Sequence, residues 1–365
     1  MRVGAVRPNR PHRLLARVAA ACTFGVGLLA VCSTGTAGAT PTSSAHPLIV
    51  YSSEGYGDVV AQYFRYKTGI PVQVVTNKLD ALSALVQSTK RHPQWGVLWT
   101  DGPTVMASLD GQHFLVKNLH PTVSWNALGL AAVPKDKSFL PTGVTLTAAL
   151  LYTKNVVTSP PTSWLQLLSP QWKGEIGIST PKNVGSTYPF IAGMIAQVAG
   201  TNGVTKGEKY FSRLKANDLK VFTTTGQTIK ALTDGKIKLA LLQSSVAIGE
   251  QKTNPNLAVA YLPSVTVLPS TIAIDAKASK QEKTEAQKFI DYVLSPTGQK
   301  AMQAGTKADE SNYYPVTAGT QPLPTLPAIS SIKTRNITPY VWAPRQAAIT
   351  AWFVKHVTKT SSGRR

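Results

Sequence analysis

The stretch from Leu48 to Thr76 constrains the fold most. An apolar run at Leu48–Tyr51 is followed by Val59, Val60, Tyr63 and Phe64 at helical spacing, with Gly69 as a stop, and then by a second apolar run over Val72–Thr76. A strand, a helix and a strand in such quick succession favour a right-handed crossover between parallel neighbours, so the spacing predicts a parallel α/β sheet. Leu79–Ser88 reads as the next helix and Trp95–Trp99 as the next strand, and similar alternation continues along the chain. Two capping boxes, Ser163 with Gln166 and Ser279 with Glu282, open further helices. The first is ended by Pro170. The second presents Ala286, Phe289, Ile290, Val293 and Leu294 on one face, and Ser295-Pro296 starts another helix that stops near Gly305. There is no internal repeat.

The N-terminus reads as an export leader. Arg2, Arg7, Arg10, Arg13 and Arg17 precede an apolar run over Val18–Val31, and no acidic residue occurs before Glu54. That run is short of the ~20 apolar residues a membrane span needs. Ala37-Gly38-Ala39 offers cleavage before Thr40, making residues 1–39 the leader. Leu29-Ala30-Val31-Cys32 offers a competing site, with a leader of 1–31 and a lipidated Cys32. The product is periplasmic in the first case and held at the outer face of the cytoplasmic membrane in the second. Residues 40–47 then form a flexible tether. Cys22 and Cys32 both lie upstream of residue 40, so the exported part has no disulfide and relies on core size alone. Its length of about 320 residues exceeds what one core usually serves, and two lobes are expected.

Five of the 38 basic residues belong to the leader and none of the 17 acidic ones do, which leaves the remainder with a balance of +16. The lysines are scattered, with no basic run interleaved with aromatics, which argues against a nucleic-acid partner. A positive field does raise the local concentration of an anionic solute. Enzymatic machinery is not visible: the chain has no G-x-S-x-G elbow, Walker A loop, H-E-x-x-H pair or downstream cysteine pair, and His46, His92, His113, His120 and His356 stand singly. Neither a cofactor nor catalysis is expected, and the chain itself binds no ATP.

What the chain offers instead is Ser/Thr clusters just after strands: Ser52-Ser53, Thr100-Asp101, Gly185-Ser186-Thr187, Thr223-Thr224-Thr225-Gly226-Gln227 and Ser244-Ser245. Solutes in open α/β sheets bind beyond the carboxyl ends of strands. Hydroxyls beside the free N–H groups of helix starts suit phosphate, phosphonate, sulfate or carboxylate. Each cluster alone serves equally well as a helix cap or turn.

The segment SWLQLLSPQWKGEIGIST…GST, from Ser163 to Thr187, resembles the middle of the family 1 extracellular solute-binding proteins of ABC importers, the branch that includes ferric-iron, thiamine and phosphonate receptors. LIVYSS at Leu48–Ser53, KTGIPVQVV at Lys67–Val75, KANDLKV at Lys215–Val221, LTDGKIKLAL at Leu232–Leu241 and FIDYVLSPTGQ at Phe289–Gln299 match in the family's order, so the resemblance spans roughly 48–353. It implies a two-lobed type II periplasmic-binding-protein fold of the α/β class, with a central mixed sheet in each lobe and a hinge between. One lobe is expected from 48–148 plus about 264–365, the other from 149–263, with Ile337–Val357 packing back on the first. It also implies a monomer that captures a solute between the lobes and delivers it to a permease, powered by a cytoplasmic ATPase.

The expected ligand-binding residues are Ser52, Ser53, Glu54 and Asp101 from the first lobe and Ser186, Thr187, Thr224, Thr225, Ser244 and Ser245 from the second, with Tyr152 lining the hinge. A small anion of the phosphonate or phosphate type is the expected ligand. Ferric receptors of the family carry adjacent tyrosines where this chain has Gln243-Ser244-Ser245, and Tyr313-Tyr314 reads as hinge packing, so ferric iron would need a site without tyrosines, using Glu54 and Asp101. A thiamine-type ligand would draw on Tyr51, Trp99, Tyr152, Tyr188 or Tyr261. A ligand-sensing partner of a membrane receptor is the remaining alternative on the same fold.

Overall fold

Leu48–Ser52 (β1), Val72–Thr76 (β2) and Val97–Asp101 (β3) lie side by side and parallel in the order β2-β1-β3, as the strand–helix–strand spacing predicts. The computed structural model describes residues 46–200, 202–305 and 311–358. The leader, both cysteines and the tether up to residue 45 lie outside the described residues. The crossover helix Gly57–Thr68 buries Val60, Ala61 and Phe64 and ends at Gly69, whose φ of 71° lets its N–H turn back to the Arg65 carbonyl. Tyr63 faces solvent, contrary to its predicted place on the apolar face, because the buried stripe runs through Ala61 instead. Phe64 meets Phe289 edge-on at 5.2 Å, which fastens this helix to the helix Lys280–Leu294.

Leu140–Thr147 (β4) and Val265–Ile274 (β10) complete the first sheet with Thr334–Arg335 (β11). β10 runs antiparallel to both β3 and β4, so the sheet is mixed. Every residue of β4 and β10 is buried. The second sheet has the order β7-β6-β8-β5-β9, formed by Ala149–Thr153 (β5), Ile176–Ser179 (β6), Lys220–Phe222 (β7), Leu239–Leu242 (β8) and Leu257–Ala260 (β9). β6, β7 and β8 are parallel, whereas β5 is antiparallel to both its neighbours.

The chain passes from the first sheet to the second at Ala148, between β4 and β5, and returns between β9 and β10. Both crossings contain a non-glycine residue in the left-handed region, Ala148 at φ 59° and Ser264 at φ 61°. The two lobes pack closely enough that the described residues make one compact unit.

Two local expectations are corrected. The Ser163 box yields only a 3-10 turn, Gln166–Leu168, because Pro170 leaves no room for an α-helical turn; Gln166 Oε1 still accepts from the Thr162 N–H at 2.6 Å. The Ser279 box is complete, with the Glu282 N–H on Ser279 Oγ and the Ser279 N–H on Glu282 Oε2. The larger correction concerns the C-terminus. Trp342, Ile349, Phe353 and Val357 are buried in the second lobe's core with Trp164, Tyr188, Phe190 and Phe211, and only Pro339–Arg345 packs on the first lobe, against the helix Pro103–Gly111. The physical reason is the match of apolar faces there: Phe353 stands edge-on to Phe211 at 5.5 Å, and Tyr188 Oη donates to the Trp342 carbonyl at 2.6 Å. Tyr340, two residues earlier, does reach the first lobe, where its hydroxyl donates to Asp110 Oδ2 at 2.9 Å.

Candidate functional site

Strand ends from both sheets face one cleft. Its outer part is a cavity of ≈ 390 Å³ to which the first lobe contributes Ser53, Lys78, Leu79 and Asp101, and the second Asn183–Ser186, Thr224–Gly226, Gln243 and Val246. Four helices begin at this cavity, Leu79–Ser88 from the first lobe and Thr187–Ala199, Thr225–Thr233 and Ser244–Thr253 from the second. The first backbone N–H groups of a helix have no acceptor within it, and the aligned peptide dipoles put partial positive charge at that end. Lys78, the residue before the first of these helices, adds a full charge.

Behind this space lies an inner cavity of ≈ 160 Å³, lined by Ser53, Glu54, Gly55, Tyr56, Asp101, Thr145, Gln243, Ser245, Val246, Ser270 and Tyr313. Ser270 Oγ donates to Asp101 Oδ1 at 2.7 Å and lies 3.4 Å from Glu54 Oε2. Gln243 Nε2, from the other lobe, donates to Asp101 Oδ2 at 3.2 Å and to Thr145 Oγ1 at 3.0 Å. Asp101 keeps part of its surface on the cleft, yet protein atoms crowd its carboxyl, and this burial pushes its pKa above the ordinary carboxylate range against the pull of Ser270 and Gln243.

Not every expected residue reaches the cleft. Ser53, Asp101, Ser186, Thr224 and Thr225 come together in its outer part, and Glu54 and Ser245 line the inner cavity with Ser53 and Asp101. Ser52 turns inward, where its Oγ accepts from the Glu54 N–H at 3.0 Å. Ser244 is buried and accepts from the Leu146 N–H at 2.9 Å, tying a second-lobe helix to β4. Thr187 is buried and reaches only a small pocket beside Ser186, Thr225 and Gln243, and Tyr152 packs on the second lobe's core because it pairs with Leu239 at the start of β8, the strand end remote from the cleft. Thr224 is a helix cap, its Oγ1 accepting from the Gln227 N–H at 3.2 Å, whereas Ser186 occupies the cap position of the helix Thr187–Ala199 without making the capping bond. Sequence reasoning missed Lys78, Thr145 and Ser270. It noted Gln243 only as a replacement for tyrosine.

The aromatic candidates for sandwiching a heterocycle are structural. Trp99 is fully buried with its Nε1 donating to Thr142 Oγ1, Tyr51 and Tyr188 are core residues, and Tyr261 packs beside the two lobes' cores. Tyr56 and Tyr313 do line the inner cavity, but both phenols are held neutral. Burial raises each pKa well above the phenol range, the Glu54 charge raises both further and Asp101 adds to the effect on Tyr56. Tyr56 Oη donates to Ser270 Oγ, and Tyr313 Oη donates to the Gln299 carbonyl. Among the described residues no group of three or more His, Cys, Asp or Glu is placed to hold a metal ion, and no helix is long and apolar enough to cross a membrane.

Two sheets, two strand crossings and a donor-lined cleft between them define a bilobal binding protein of the type II periplasmic class. The chain belongs to the bacterial extracellular solute-binding protein family, whose model matches residues 60–331. It is 22% identical over 284 residues, 74% of this chain and 80% of the relative, to a Salmonella paratyphi A periplasmic protein named for binding 2-aminoethylphosphonate. Among solved structures it is similar to iron-bound HitA from Pseudomonas aeruginosa, with a TM-score of 0.70 and 21% identity over 84% of this chain and 98% of HitA. AfuA from Actinobacillus pleuropneumoniae, with fructose-6-phosphate bound, gives a TM-score of 0.72 and 16% identity over 86% of this chain and 99% of AfuA. The chain is thus a solute-binding protein of ABC importers. Family and fold are those of transport proteins rather than enzymes, the family's partners are a solute and a permease, and its relatives work outside the cytoplasm.

Proposed function

We propose that the cleft captures a small phosphonate- or phosphate-type solute and delivers it to an importer permease. The observation that carries this reading is the convergence of Lys78 and four helix N-termini on one cavity of ≈ 390 Å³, together with the Ser186 hydroxyl, which is not spent on capping. Such a wall offers backbone and hydroxyl donors plus one full charge, the complement of a tetrahedral oxyanion. The phosphonate-binding name of the Salmonella relative and the sugar phosphate held by AfuA agree with it.

Residues 48–148 and the segment from 264 to Arg335 act as one lobe in this reading, and 149–263 with the C-terminal helices as the other. They swing about Ala148 and the Tyr261–Ser264 crossing. A ligand touching both lobes prefers the closed arrangement and so populates it. The protein works as an exported monomer without cofactor or nucleic acid, and the importer's ATPase supplies the energy.

The test is thermal unfolding of the chain from Thr40 against a panel of 2-aminoethylphosphonate, simple phosphonates, phosphate and sugar phosphates. A true ligand at 100 times its Kd adds about 2.7 kcal/mol and raises the midpoint. Stabilisation by thiamine or ferric citrate alone would overturn the oxyanion assignment.

A further inference from the structure

Asp101 stands at the junction of the two cavities, on the wall of both. Its carboxylate joins β3 to β10 through Ser270 and to the second lobe through Gln243, but it neither caps a helix nor forms an ion pair with a described residue. The helix that follows, Pro103–Gly111, has Gly102 at its cap position and receives no side-chain capping bond. None of the ion pairs among the described residues involves Asp101. Among the described residues its two carboxylate oxygens accept only from neutral groups, Ser270 Oγ and Gln243 Nε2. A carboxylate has about four acceptor positions, so two such bonds leave it capacity for more. Placing a carboxylate among protein atoms with neutral partners alone is unfavourable, and a cation that enters the site relieves it. The outer cavity also carries the other sign, with Lys78 and the helix N-termini in its lining. The binding space is therefore polar end to end: donors and positive charge outside, a carboxylate at the threshold of the inner cavity.

We propose that Asp101 receives a cationic substituent of the solute, a primary ammonium, so that the transported compound is an amino-substituted oxyanion rather than a simple phosphate or phosphonate. This rests on the oxyanion reading of the outer wall. The oxyanion sits against Lys78, Ser186 and Thr225, and the ammonium reaches inward to Asp101, where Ser270 and Gln243 hold the carboxylate in place. Gln243 then has a second role. It joins Asp101 across the cleft, so the group that recognises the ammonium is assembled only when the lobes are together.

The experiment is isothermal titration of the chain from Thr40 with 2-aminoethylphosphonate and with propylphosphonate, which keeps the oxyanion and puts a methyl group where the ammonium stands. Each is repeated on Asp101→Asn. The wild-type protein is expected to bind the amino compound about tenfold or more tightly than propylphosphonate, the range of a charge-assisted hydrogen bond. Asp101→Asn is expected to bind the two within about threefold of each other, through weaker binding of the amino compound alone. Equal wild-type affinity for both compounds overturns the ammonium subsite and leaves the oxyanion reading standing. Retention of the preference in Asp101→Asn overturns the assignment to Asp101. Absence of binding by either phosphonate overturns the ammonium subsite, and absence of binding by phosphate and sugar phosphates as well overturns the oxyanion reading. The wild-type comparison needs no variant, so the proposal stays refutable even if Asp101→Asn fails to fold.

Discussion

Ser186 and Thr224 both precede helices that point into the cleft, yet their hydroxyls do different things, and that contrast makes a sharp test. Thr224 Oγ1 accepts from the Gln227 N–H, so Thr224→Ala removes a helix cap and should cost about 0.5–2 kcal/mol of folding stability. Ser186 makes no such bond, and Ser186→Ala should leave stability within about 0.5 kcal/mol of the parent. Its hydroxyl faces the outer cavity, where it is placed to donate to a charged oxyanion. A hydrogen bond to a charged group is worth about 1.5–3 kcal/mol, which converts to a dissociation constant raised about 10- to 150-fold. The assay pairs titration calorimetry on 2-aminoethylphosphonate with urea unfolding of the same two variants. If Ser186→Ala binds within about twofold of the parent, or loses as much stability as Thr224→Ala, the division between a capping and a ligand-facing hydroxyl is wrong.

Three further outcomes follow from the packing and electrostatics. Phe353→Ala, which empties a fully buried site against Phe211, should lower folding stability by about 3–5 kcal/mol in denaturant titrations, whereas a merely surface-laid C-terminal helix would give a change near zero. Burial raises the Asp101 pKa above its ordinary 3.8, so the folded protein keeps this proton at pH values where the unfolded chain has released it. Its contribution to stability therefore falls as pH rises through that value. Asp101→Asn should gain stability relative to the parent as pH rises above 3.8 in paired unfolding curves, and a gap that stays constant would contradict the burial argument. Ferric citrate should produce no visible phenolate-to-iron absorption band, since Tyr56 and Tyr313 are kept protonated and both hydroxyls already donate within the protein; a coloured complex would show that one of them ionises.

Much of the first lobe is written in local pattern. The helix Leu79–Ser88 has the bounds its spacing predicts, Gly69 stops the crossover helix, and the Ser279 box closes as drawn, because burial period and capping are set by neighbours within a turn or two. The site is legible only where a strand ends in a short polar loop, as at Ser53, Asp101, Ser186 and Thr225. Periodicity says nothing about which way a hydroxyl turns, and so Ser52 and Ser244, whose hydroxyls accept from the Glu54 and Leu146 N–H groups, read like their cleft-lining neighbours. Lys78 and Ser270 come from elements remote in sequence from the other wall, so no window of residues could have joined them. The C-terminal helices show the same limit on a larger scale. Ile349 and Phe353 announce an apolar face, but the surface that receives it, Phe211 and Tyr188, lies about 150 residues away in the chain, as the Tyr188–Trp342 hydrogen bond at a separation of 154 makes plain.

That C-terminal segment also sets a mechanical limit on the swing of the lobes. Tyr340 is anchored to Asp110 on one side and Trp342 is sunk beneath Tyr188 on the other, with one residue between them. Two residues of fully extended chain reach about 7 Å. Any rotation that carries the two anchorage points further apart than this slack must either pull Tyr340 off Asp110 or draw Trp342 out of its socket. The segment thus behaves as a check strap beside the two strand crossings: wide opening comes at the expense of a contact, and a substitution such as Tyr340→Ala that frees one end would let the cleft gape further without altering a single residue that lines it.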